Sequence, residues 1–151
     1  MSLPTPDLGE LYQSVILDHN KTPRNFRAID DASGKAEGYN PLCGDRVEIW
    51  VKVEEGRIAD LSFLGNGCAI SKASASIMTA TLKGKTIEEA NALFARFHST
   101  LTGEQGGGDE KLPTRLEVFR GVAQFPIRVK CATLAWHALR DALAQTTTTE
   151  E

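Results

Sequence analysis

The chain has 151 residues, which suits one globular domain able to bury a core without disulfide or metal staples. Hydrophobic residues at 41% and charged residues at 25% fit a water-soluble fold, and a net charge of −3 without a basic run argues against a nucleic-acid role. No apolar stretch approaches the ~20 residues of a membrane span, and Met1–Asp7 lacks the basic start and apolar core of a signal peptide, so the expected compartment is the cytoplasm, with no membrane partner.

The first predicted element is a helix with Asp7 as N-cap and Glu10 three residues on. Leu11, Tyr12, Val15, Ile16 and His19 follow at helical spacing, and Pro23 sets the stop. Residues 24–41 read as loop around one short strand at Lys35–Tyr39. A hairpin comes next: Val47, Ile49, Val51 and Val53 alternate with polar neighbours, Glu55-Gly56 turns, and Ala59, Leu61 and Phe63 return. Gly65-Asn66-Gly67-Cys68 breaks the strand and opens a helix over Ala69–Leu82, whose Ala73, Ser74, Ala75 and Ser76 permit close approach to a neighbour; Gly84 ends it. Thr86-Ile87-Glu88-Glu89 is a capping box for an amphipathic helix through Leu101.

Gly103–Asp109 reads as a flexible connector, and Thr114–Arg120 as a short helix. Pro126 marks a break before a last helix carrying Ala132, Ala135, Trp136, Leu139 and Leu143. The whole chain, 1–151, forms one domain with its core over about 8–145 and a disordered polar tail at 146–151. Strands early and helices later predict an α+β fold, a small antiparallel sheet with helices on one face.

Three cysteines cannot complete a disulfide framework, so inert thiols, metal ligands and reactive thiols are the choices. Each is expected at a junction: Cys43 in the loop Asn40–Asp45, Cys68 at the strand-to-helix turn, Cys131 between the Pro126 break and the last helix. Glycines beside Cys43 and Cys68 leave room for a sulfur-bound ion or a substrate. Helix starts, together with Arg128 and Lys130, favour thiolate. Asp45 stands two residues from Cys43, so Cys43, Asp45, Cys68 and Cys131 are a candidate donor set for Zn²⁺. Four anionic ligands would leave a zinc site at net −2, which Arg128 and Lys130 could partly offset. Spacing alone leaves a shared site open. There is no Cys-x-x-Cys pair, and Asp45 by itself reads as a solvated turn aspartate.

Four segments then carry a resemblance: Leu17–Phe26, Asn40–Asp45, Gly65–Ser76 and Phe125–Trp136. In sequence and order they resemble the NifU N-terminal/IscU/SufU family of iron–sulfur cluster biogenesis, over about Leu11–Ala144. Lys130 stands where IscU-type proteins have a histidine before the third cysteine. Gly103–Gln124 looks like the SufU-type insertion, so the chain is more similar to the SufU branch. Phe125-Pro126-Ile127-Arg128 does not reproduce the double-proline chaperone motif of IscU.

The resemblance implies a SufE/NifU-like fold, a three-stranded antiparallel sheet packed on helices with the cysteines gathered at one end. It implies Zn²⁺ on Cys43, Asp45, Cys68 and Cys131. It also implies a PLP-dependent cysteine desulfurase of the SUF system as partner, with downstream iron–sulfur assembly proteins as acceptors. Sulfur would pass from the desulfurase persulfide to Cys43, the cysteine on the most flexible loop, after a partner histidine displaces it. Arg128 is the next candidate, to stabilise anionic sulfur or contact the desulfurase.

Two rival expectations use the same residues. One is a scaffold holding a labile Fe–S cluster; the other is a purely structural zinc domain, which an aspartate ligand disfavours. His19 reads as a hydrogen-bonded structural residue, His98 and His137 as surface or packing residues, and Trp50 and Trp136 as packing residues.

Overall fold

The computed structural model describes residues 8–41, 44–102, 114–117, 119, 122 and 125–149. In chain order the elements are α1 (Leu8–Lys21), β1 (Gly34–Asn40), β2 (Asp45–Glu54), β3 (Arg57–Asn66), α2 (Ala69–Leu82), α3 (Ile87–Thr102), α4 (Thr114–Glu117) and α5 (Pro126–Thr149). The class is α+β, as the order of elements predicts. Among the described residues no helix is long and apolar enough to cross a membrane. The Asp7 cap and the Gly103–Asp109 connector lie outside the described residues, as does most of Gly103–Gln124.

The sheet is antiparallel in the order β1-β2-β3. Alternation dictates it: Val47, Ile49 and Val51 of β2 and Leu61 and Phe63 of β3 are buried on one face, and a one-residue slip would turn them all to water. Glu55 (φ 53°) and Gly56 (φ 77°) both take the left-handed conformation that a two-residue hairpin needs to match strand twist. The predicted short strand is real and slightly longer, because β1 pairs with β2 from Gly34↔Val51 to Asn40↔Asp45.

Helices cover the apolar face. α5 packs on β1 and β2, α2 packs on β3 and α5, and α1 and α3 pack outside α2 and α5. The core joins Ile49, Leu61 and Phe63 of the sheet to Ile77, Met78, Phe97 and Trp136. Thr86 caps α3 as its spacing predicts: its Oγ1 accepts from Glu89 N–H (3.0 Å) and its own N–H donates to Glu89 Oε1 (2.9 Å).

The last helix differs from expectation at both ends. Pro126 begins α5, since its fixed φ and missing N–H suit a first helical turn; Arg128 and Val129 N–H then bond to Phe125 C=O. The helix continues to Thr149, through four residues assigned above to a disordered tail. Cys131 is therefore inside α5, not in a junction before it.

Candidate metal centre

Three pieces of chain meet at one end of the sheet. Asp45 opens β2, Cys68 follows the end of β3 and Cys131 sits in the second turn of α5. The β2–β3 register brings them together, because pairing of Arg46 with Asn66 sets the β3–α2 turn beside Asp45. The donor atoms of Asp45, Cys68 and Cys131 all lie within 4.8 Å of one another. Asp45 and Cys131 are fully buried and Cys68 is half-buried, so the cluster has one open side.

Local hydrogen bonds hold this geometry. Asp45 Oδ1 accepts the Cys68 backbone N–H (2.8 Å), and Cys68 Sγ–H donates to Asp45 Oδ2 (3.4 Å). Cys68 is the N-cap of α2, its sulfur accepting Ser71 N–H at 3.4 Å. Asn40 Nδ2–H points at Cys131 Sγ across 3.9 Å.

The donor chemistry fits a zinc ion. Two sulfurs bound to one tetrahedral ion at ~2.3 Å stand about 3.8 Å apart, the scale of this cluster. Thiolates with one carboxylate suit a borderline-soft cation.

Several expectations meet the structure differently. Asp45 is not a solvated turn aspartate but fully buried. Cys131 lies past the first turn of its helix, so the expected placement at a helix start does not hold for it. Cys43 lies outside the described residues. Arg128 and Lys130 are exposed on the first turn and a half of α5. His19 is buried with Nδ1 2.7 Å from Ser76 Oγ, the structural role its spacing predicts. Trp50 and Trp136 are both buried and pack. His98 and His137 face each other across α3 and α5, with ring centroids 5.6 Å apart.

Sequence reasoning missed Asn40, and at Gly67 it expected room for an ion or a substrate instead of for a carboxylate. Asn40 reads as an ordinary turn residue before proline, and nothing in the sequence signals that its amide is buried. The reason for Gly67 is spatial: a Cβ there would stand 2.6 Å from Asp45 Oδ1.

Comparison with known proteins gives these residues a family. A sequence model described as the NifU-like N-terminal domain matches residues 11–132. A Streptococcus pyogenes protein named iron–sulfur cluster assembly scaffold protein IscU is 42% identical over 136 residues, covering 90% of this chain and 84% of that protein. A Bacillus subtilis protein named zinc-dependent sulfurtransferase SufU is 41% identical over 139 residues, covering 92% and 93%.

Among solved structures, one described as an iron–sulfur cluster assembly scaffold for the SUF system, from Fervidobacterium islandicum, superposes with a TM-score of 0.75 at 31% identity. It covers 85% of this chain and 93% of that one. The N-terminal part of a NifU-like protein from Brucella abortus has the same fold, with a TM-score of 0.82 at 20% identity over 94% and 99% of the two chains. The family match spans most of the chain, and with it the resemblance read from the four segments becomes an assignment: the chain belongs to the NifU-like N-terminal domain family, whose IscU and SufU relatives are named for iron–sulfur cluster assembly and sulfur transfer.

Proposed function

We propose that this protein is a zinc-dependent sulfur acceptor, taking persulfide sulfur from a PLP-dependent cysteine desulfurase of the SUF system and passing it on to iron–sulfur cluster assembly. The observation that carries this reading is the convergence of Asp45, Cys68 and Cys131 within 4.8 Å. Cys43 is two residues from Asp45, so its Cα is within ~7.6 Å of that of Asp45. Gly44 takes φ +72°, and its N–H closes the turn on Asn40 C=O at 2.8 Å.

Cys43, Asp45, Cys68 and Cys131 would hold the ion. Bound zinc keeps its thiolate ligands deprotonated at neutral pH and is itself redox-silent. Cys43 is the reacting thiolate. It attacks the terminal sulfur of the desulfurase persulfide, a new S–S bond forms at Cys43 and the old one breaks. The electron pair leaves on the desulfurase cysteine, whose thiolate is regenerated, and no oxidant is consumed. Cys68 and Cys131 stay in place because α2 and α5 anchor them. Arg128, exposed three residues before Cys131, meets the anionic sulfur or the partner surface.

A second reading, an Fe–S scaffold on the same cysteines, is favoured by the scaffold name of the Streptococcus pyogenes relative. Metal analysis and a desulfurase assay separate the two. About one zinc per chain, with desulfurase turnover stimulated by the wild type and not by folded Cys43→Ser, is the expected result. Undiminished sulfur acceptance by Cys43→Ser refutes the assignment. Failure of any desulfurase to respond, with intact transfer of a reconstituted cluster, establishes the scaffold.

A further inference from the structure

The neighbour of the donor cluster that the reading above leaves unused is a side-chain amide. Asn40 closes β1 and is only 5% exposed. Its Nδ2–H donates to Cys131 Sγ at 3.9 Å, a long contact of the kind a large sulfur permits. Its backbone C=O accepts Gly44 N–H, and it pairs with Asp45 across the β1–β2 ladder. One buried residue thus ties the turn, the carboxylate strand and the helix-borne sulfur together.

Burying an amide is costly unless its donors are used. An N–H aimed at a thiolate draws charge from the sulfur and fixes its direction, as outer groups do around metal ligands generally. Ser71 and Cys68 donate to Cys68 Sγ and Asp45 Oδ1 through backbone N–H groups, which substitution leaves in place. The Asn40 donor to Cys131 belongs to a side chain and can be removed by itself.

We propose that Asn40 is a positioning residue of the metal centre: its buried amide orients Cys131 Sγ toward Asp45 and Cys68 and lowers the charge that this sulfur donates to a bound ion. The inference rests on the metal-centre reading and adds to it a residue that tunes one ligand.

Cobalt(II) is the probe, loaded into the full-length protein. The wild type should show a thiolate-to-cobalt charge-transfer band. Asn40→Leu keeps the branched shape and has no side-chain N–H. It should move the band to longer wavelength and weaken metal binding about 10- to 100-fold in competition with a chelator. Asn40→Gln retains the amide and should recover part of both effects. A role in folding alone would lower the melting temperature without moving the band. An unmoved band in folded Asn40→Leu, or a shift in Asn40→Gln as large as in Asn40→Leu, overturns the proposal. If Asn40→Leu does not fold, Asn40→Ala, which cannot clash, makes the same comparison. A wild type without any charge-transfer band would sink the metal centre itself; a wild-type band that Asn40 variants leave in place would sink this inference alone.

Discussion

Two glycines flank the cysteine loops for different reasons. Gly44 adopts φ +72° with open space around its missing Cβ, so its demand is conformational. Gly67 has no such φ, but its Cα faces Asp45: an added Cβ would lie 2.6 Å from Oδ1 and 2.8 Å from Cγ of that buried carboxylate. Gly67→Ala must therefore push Asp45 away and break its 2.8 Å bond to Cys68 N–H. A buried acceptor without its donor costs about 1–3 kcal/mol. Gly67→Ala should lower the melting temperature accordingly and cut metal content. Gly44→Ala should cost ~1–2 kcal/mol of backbone strain and keep its metal. Wild-type stability and metal content in Gly67→Ala would refute this account. Gly44 answers to its φ and not to space, but that Gly67 makes room was legible in the sequence. What fills the room at Gly67 was not, because the burial of Asp45 comes from strand register and leaves no local signature.

α2 shows how a helix can position chemistry through its small residues. Ser74 is fully buried between α2 and α5, its hydroxyl donating to Ala132 C=O (2.5 Å) and accepting the Trp136 indole N–H (3.1 Å). Ser76, two residues on and facing α1 instead of α5, accepts Arg24 N–H (2.8 Å) and meets His19. The run Ala73–Ser76 announces close packing in the sequence, yet its hydroxyls also satisfy polar groups of three other segments, which no periodicity reveals. Ser74→Ala strips the indole N–H of this acceptor and should destabilise the protein by about 1–3 kcal/mol, with a changed Trp136 fluorescence environment. Ser74→Leu should do worse, forcing apart the helices that carry Cys68 and Cys131, and should lower metal retention as well. If chemical denaturation finds Ser74→Ala as stable as the wild type, the hydroxyl is only filling space. The same helix pair explains a misreading. Pro126 looked like a break before α5, and it is the first residue of α5, because proline is excluded from helix interiors but suits their first turn.

At the scale of the molecule, the sheet and the helices were legible from alternation and caps. The meeting of Asp45, Cys68 and Cys131 was legible only through family resemblance, since it depends on how three distant segments dock. A second long-range junction lies away from the cysteines. Asp60 on β3 accepts from Arg27 Nη2 (2.7 Å), in the connection between α1 and β1, and pairs with Lys83 Nζ (3.2 Å), beyond the end of α2. Leu61 N–H adds a third donor at 2.9 Å. The Arg27 hydrogen bond, followed by those of Lys83 and Leu61, outweighs partial burial and lowers the Asp60 carboxyl from its ordinary 3.8 to about 2.

The folded state therefore prefers the ionised carboxylate, and the stability this confers is complete above about pH 4 and disappears as pH falls through about 2. His137 acts in a different window. Burial first, then His98 and Arg140, hold its imidazole below the usual 6.5, so its penalty begins as pH drops under that value and the unfolded chain takes up a proton. Asp60→Asn should thus melt at a lower temperature than the wild type at pH 7, keep that deficit through the histidine window, and lose it between about pH 4 and 2. Thermal unfolding across that range checks the assignment. A deficit that stays constant down to pH 2 would mean that the Asp60 charge, and with it the clamp between Arg27 and Lys83, contributes nothing to holding the segment that follows α1 against β3.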